Sequence, residues 1–206
     1  MSDQFGLFAA PPEPSRRVPR PQLKSNARKH ALFLAIRPDA ADAARLVAHA
    51  AAEDARLGLH GGPMEAGRLH VSLFGLVDYA DRYPETAVER WLSALDTVRV
   101  APFEVGFDTV ATFGGQGNPL VLRARDPAQV AGVRRLHEAV GVALADAGEQ
   151  LKWASDEPHM TVSYRGLRIP DTAMAAIRWT AREFVLVDSH VGAHIHEVLE
   201  RWPLRA

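Results

Sequence analysis

At 206 residues, 47% of them hydrophobic, the chain is long enough to bury one sizeable core without covalent staples. A formal net charge of −1 gives no overall pull toward nucleic acid or an anionic membrane, and the lack of cysteine excludes disulfides, a zinc ribbon and a cysteine nucleophile. No apolar run reaches the length of a membrane span, and the first residues lack the order of a secretory signal, so a cytoplasmic protein without membrane contact is expected.

Residues 1–28 read as a flexible, basic, proline-rich arm, because APPEPSRRVPRPQLKSNARK has little to bury and its prolines remove backbone donors. Within residues 1–29, Arg16, Arg17, Arg20, Lys24, Arg28 and Lys29 face only Asp3 and Glu13. A basic arm on a mildly acidic body suits a polyanion, although a solvated tail is the plainer reading. Residues 29–206 are expected to form a single domain.

Order should begin at HALFLAIRP, 30–38, an apolar run closed by Pro38 and read as a buried strand. Alanine-rich residues 39–57 follow as a helix, with Asp39 as N-cap and Gly58 beyond its end. GRLHVSLFGLVDY, 67–79, is the next strand. PETAVERWLSALDTV, 84–98, opens with proline and shows helical spacing at Val88, Trp91, Leu92 and Leu95. PFEVGFDTVATF and NPLVLRAR read as a hairpin around GGQGN, which lacks the Lys-Ser/Thr of a phosphate loop. Residues 127–148 predict an amphipathic helix stopping at Gly148, and a strand at PHMTVSYRG follows. WTAREFVLVDSHVG and HEVLERWPL close the chain as two strands that pair. The order predicts an α+β fold of two similar lobes facing one cleft.

The chemistry concentrates in RLHVSLFGL and EPHMTVSYRG. In a strand, side chains at i and i+2 share a face, so His70 looks the same way as Ser72, and His159 the same way as Thr161. Each unit sets an imidazole beside a hydroxyl on an apolar backing. Two such units suit displacement at phosphorus. One neutral histidine takes a proton from water while the other, protonated, gives one to the departing oxygen. The hydroxyls of Ser72 and Thr161 are placed to stabilise charge on the non-bridging oxygens, and no metal or other cofactor is called for. With nine histidines in the chain, one His-x-Ser/Thr string means little. Two of them, apolar-backed and in separate halves, carry the argument.

The two segments resemble the signature pair of the 2H phosphoesterase superfamily, in its 2′-5′ RNA ligase-like branch. The resemblance runs from residue 30 to 206 and includes HALFLAIRP, the FEVGFDTVATF–LVLRA hairpin and the EFVLVDSHVG…LERWPL ending. It implies a bilobal α+β fold with antiparallel sheets around a pseudo-two-fold cleft and helices outside. It also implies a metal-independent hydrolase, a cyclic phosphodiesterase acting on a 2′,3′-cyclic phosphate at an RNA end or on a small cyclic nucleotide. By resemblance, His70 protonates the leaving 3′ oxygen and His159 activates water. The alternatives are 2′-5′ RNA ligation, the reverse reaction, and a non-catalytic module that binds RNA ends. A monomer is the default oligomeric state.

Arg165 shares strand parity with His159 and is a candidate phosphate contact, against the reading of a solvated strand-end arginine. Phe74, of His70 parity, is read as core before base-stacking, and Tyr164, of opposite parity, as packing. Trp153 is a candidate for the rim of the cleft. His194-x-His196, with His190 nearby, has a spacing that suits chelation but lacks a carboxylate partner, so no metal site is assigned. His30, His49, His60 and His137 read as surface or helix-face residues.

Overall fold

Each histidine motif arrives at the end of a strand–helix–strand unit. In the computed structural model, which describes residues 17–59, 62–113, 118–155, 157–164 and 168–206, β1 (His30–Ile36) leads through α1 (Ala40–Arg56) to β2 (Val71–Tyr79). After α2 (Glu85–Leu95) and β3 (Phe103–Thr112), the second unit runs from β4 (Pro119–Arg123) through α3 (Ala131–Asp146) and β5 (Trp153–Ala154) to β6 (His159–Tyr164). β7 (Thr172–Ala181), β8 (Glu183–His190) and β9 (Ile195–Pro203) complete the chain.

Local chemistry sets the helix boundaries. Asp39 caps α1 by accepting from the Asp42 amide at 2.9 Å. Beyond α3, Gly148 takes a φ of +74°, and the Glu149 amide closes back on the Leu144 carbonyl at 3.0 Å. Arg90 and Trp91 of α2 then hold the Glu149 carboxylate at 2.5 and 2.9 Å, tying α2 to the end of α3.

Among the described residues the strands form one sheet in the order β7-β3-β4-β6-β2-β1-β8-β9, with β5 beside β2. The order mirrors about the β6–β2 joint. β2, β1, β8 and β9 on one side correspond to β6, β4, β3 and β7 on the other. The joint itself is one pairing, Val71 with Met160, so the halves part into two lobes on either side of it. This is the α+β, two-lobed fold the sequence predicts. The helices cover one face, over a core that includes Leu34, Leu46, Leu73, Trp91, Phe107, Leu136 and Phe184. The other face carries a small second cluster of Phe33, Ala35, Val185 and Val187. No helix among the described residues is long and apolar enough to cross a membrane.

One expectation changes. WTAREFVLVDSHVG is not one strand: it breaks at Arg182, and its first residues end β7, which belongs to the other lobe. β7 was missed because it is an edge strand whose outer face holds small, exposed residues such as Ala173 and Ala175, leaving little apolar contrast. Residues 17–29 form no helix or strand, yet they lie against the body. Tyr83 donates to the Pro19 carbonyl at 2.6 Å, Arg20 pairs with Glu85, and Lys29 meets Asp78 at 2.6 Å.

Candidate active site

The Val71–Met160 pairing brings both motifs to the joint between the lobes. Continued by one residue each way, that antiparallel register sets His70 across from Thr161 and Ser72 across from His159. His70 directly precedes β2 and His159 opens β6, and all four residues are half-buried.

The two imidazoles are held alike. His70 Nδ1–H donates to the Arg68 carbonyl at 2.7 Å, and His159 Nδ1–H donates to the Glu157 carbonyl at 2.8 Å, each two residues back. A phenylalanine tilts against each ring: Phe33 against His70 at 5.1 Å and 48°, and Phe113 against His159 at 4.4 Å and 58°. With Nδ1 so engaged, Nε2 is the nitrogen left for proton transfer on both rings.

The surroundings differ. Burial pushes the His70 imidazolium down to about 4, with positive charge at Arg37, His159 and Arg68 adding to the depression and the Arg68 carbonyl opposing it. His196 crosses His70 edge to face at 5.2 Å, and burial, then the charges of His70, Arg68 and Arg37, push it down to about 3. His159 instead opens onto a pocket of about 420 Å³ lined by Ser72, Phe113, Trp153, Ser155 and Glu157. Trp153 lies over Gly75, where a Cβ would stand 2.1 Å from the indole nitrogen. Two imidazoles and two hydroxyls on facing strand ends, with Phe113 and Trp153 lining the pocket beside His159, make an arrangement with the groups that acid–base displacement at a phosphate needs.

Both motif strands carry a bulge just past the hydroxyl. β1 pairs Ala35 with Ser72 and Leu34 with Phe74, skipping Leu73, and β4 pairs Val121 with Thr161 and Leu120 with Ser163, skipping Val162. Each bulge reverses the parity downstream. Phe74 therefore turns into the core, stacked on His137 at 4.1 Å, as its plainer reading had it. Tyr164 corrects the expectation: it is 60% exposed rather than packed, while Ser163 is buried. Arg165, His60 and the GGQG of the hairpin loop, 114–117, lie outside the described residues.

Some residues were missed. Arg68 places a guanidinium beside His70, and its buried Nε has no hydrogen-bond partner. The R-x-H spacing was the available signal. Arg123, across from His159 on β4, is held by Glu157 and by Asp171 at 3.2 Å. Of the suggested chelating trio, His196 joins the His70 cluster, His194 sits exposed in a turn at φ +58°, and His190 points to the opposite face. His30 and His137 are not free surface residues, since each packs on an aromatic ring.

Two strand–helix–strand halves, each ending in a histidine whose Nδ1 is pinned to its own backbone, define a two-histidine α+β protein. A model of the 2′-5′ RNA ligase superfamily matches residues 31–193, and the chain belongs to that superfamily. Among solved structures, E. coli LigT complexed with 3′-AMP is similar at 19% identity, covering 86% of this chain and 99% of that one, with a TM-score of 0.65. TT0787 of Thermus thermophilus is similar at 21% identity over 85% and 98% of the two chains, with a TM-score of 0.62. These likenesses show the fold. No curated protein sequence matches the chain significantly.

Proposed function

We propose that the protein is a phosphodiesterase that hydrolyses a 2′,3′-cyclic phosphate, at an RNA end or on a small cyclic nucleotide, to a 2′-phosphate without a metal in the cleft. The observation that carries the reading is the matched pair of imidazoles at the lobe joint, each with Nδ1 fixed and Nε2 available. Water forms a new P–O bond as the bond to the 3′ oxygen breaks. His159, neutral, takes the proton of the attacking water, and His70, protonated on Nε2, delivers one to the departing 3′ oxygen. Ser72 and Thr161 donate to the non-bridging oxygens, Arg68 supplies charge beside them, and Trp153 with Phe113 offers faces for the base.

His70 is neutral in the free site at pH 7, so the acid role needs a source of proton affinity. The phosphate anion is that source. It brings negative charge among Arg37, Arg68 and the imidazole, and loads His70 as it binds. Ligation is the reverse of this step and uses the same groups.

The test is product analysis on an RNA with a 2′,3′-cyclic end. A 2′-phosphate is expected, and His70→Ala and His159→Ala should each slow its formation about 10²–10⁴-fold. Near-wild-type hydrolysis in either folded variant defeats the proposal. A 3′-phosphate, a sealed strand, or tight end-binding without turnover replaces it with cleavage of the other bond, a ligase, or a binding module.

A further inference from the structure

On the helix-covered face, at the far end of the lobe from His70, four ligand-type side chains converge. The register sets His30 of β1 across from His190 of β8, and Asp188 of β8 across from Glu197 of β9, so all four share one face of three adjacent strands. His30 Nδ1 lies 2.7 Å from Asp188 Oδ2, His190 Nε2 lies 3.0 Å from the same oxygen, and Glu197 Oε2 lies 3.5 Å from His190 Nε2. The side chains of Asp188 and His190 are fully buried, and those of His30 and Glu197 are 17% and 12% exposed.

Hydrogen bonding accounts for only part of this cluster, the 2.7 Å bond between His30 Nδ1 and Asp188 Oδ2. His190 Nε2 sits buried within contact distance of the same carboxylate yet makes no hydrogen bond to it, so the ring is aimed elsewhere, while the Tyr79 hydroxyl faces Asp188. Two carboxylates stand in largely buried surroundings, and among the described residues no lysine or arginine pairs with either. Buried charge without a counter-charge is costly.

We propose that His30, Asp188, His190 and Glu197 form a site for a divalent cation of the zinc class. Two imidazoles and two carboxylates make a tetrahedral N₂O₂ set, whose ligand atoms stand about 3.3 Å apart around zinc at bonds of about 2.0–2.1 Å. His30, Asp188 and His190 already bring one ligand atom each within 4.8 Å of one another, and Glu197 completes the set from 3.5 Å off His190 Nε2. Two positive charges balance the two carboxylates, and the unpartnered, buried His190 Nε2 gains a partner in the ion.

An outer layer is already in place. His190 Nδ1 lies 2.8 Å from Ser25 Oγ, and in the tautomer in which Nδ1–H donates to that hydroxyl, Nε2 presents a lone pair to the ion. The Glu197 carboxylate accepts from the Gln22 and Leu23 amides at 2.7 and 3.0 Å, and Tyr79 stacks on His30 at 4.9 Å. Residues 22–25 are thus fastened to ligands drawn from β8 and β9. The ion is structural: it pins the segment preceding β1 across the edge of the sheet, away from the catalytic cleft.

The full chain, stripped with a chelator, should bind about one Zn²⁺ by calorimetry, gain about 5–10 °C in Tm at saturation, and give an intense tetrahedral visible spectrum with Co²⁺. All three should be lost in His190→Gln, and also in His30→Gln and Glu197→Gln, which carry the test if the more buried variant does not fold. They should persist in a His70→Gln/His196→Gln double variant, which removes the cleft imidazoles. The proposal is overturned by wild type with no bound metal and no Tm shift. It is equally overturned by binding that survives His30→Gln and Glu197→Gln, or that disappears with the cleft imidazoles.

Discussion

Replacing His159 with glutamine leaves His70 as the only member of the pair that titrates, so the pH dependence that remains reads its role directly. If His70 is the acid, kcat/KM of His159→Gln depends on the protonated fraction in the free protein. From a value of about 4 that fraction is roughly one in a thousand at pH 7, and kcat/KM should fall about tenfold per unit from pH 5 to 8. Under saturating substrate the titration is that of the complex. A phosphate charge roughly 4 Å from the imidazolium, at an effective dielectric of about 20, contributes about 4 kcal/mol, or about three pH units. The break in kcat should therefore lie near 7, well above that in kcat/KM. The assay is initial-rate hydrolysis of a 2′,3′-cyclic nucleotide across pH 5–8, with circular dichroism to confirm folding at each point. A kcat/KM that stays flat or rises over this range refutes the assignment of His70 as acid, and coincident breaks refute loading by the phosphate.

Three further outcomes follow from the same geometry. His70 and His196 are held neutral when folded, with values depressed to about 4 and about 3 from the ordinary 6.5. Their contribution is complete above pH 6.5 and is lost as pH falls toward 4, at a cost of about 3 kcal/mol for His70 alone. Urea midpoints between pH 7 and 4 should fall more steeply in wild type than in His196→Asn. Arg68→Gln removes a guanidinium beside the phosphate site and should raise KM about 10–100-fold, with a smaller effect on kcat, in steady-state kinetics. Gly75→Ala places a methyl 2.1 Å from the Trp153 indole nitrogen, so the ring must leave its position. KM should then rise several-fold for a base-bearing substrate and little for a cyclic phosphate without a base, and equal effects on both would count against base stacking.

The sequence determined what depends on local pattern and on residue chemistry. Asp39 and Gly148 mark helix ends, apolar runs mark the inner strands, and the alternation at residues 70–72 and 159–161 aims each imidazole with a hydroxyl. These signals lie within a few residues of one another, so no knowledge of the far chain was needed. Tertiary structure decided everything carried by long-range register. The bulges after Ser72 and Thr161 reverse the parity, sending Phe74 inward and Tyr164 outward, and strand alternation carries no mark of an extra residue. His196 meets His70 only because β2, β1, β8 and β9 lie side by side in that order, which also turns His190 away from His196 and toward His30, Asp188 and Glu197. Adjacency in the chain placed the last three histidines together, and the sheet set His190 and His196 on opposite faces with His194 in the turn between them.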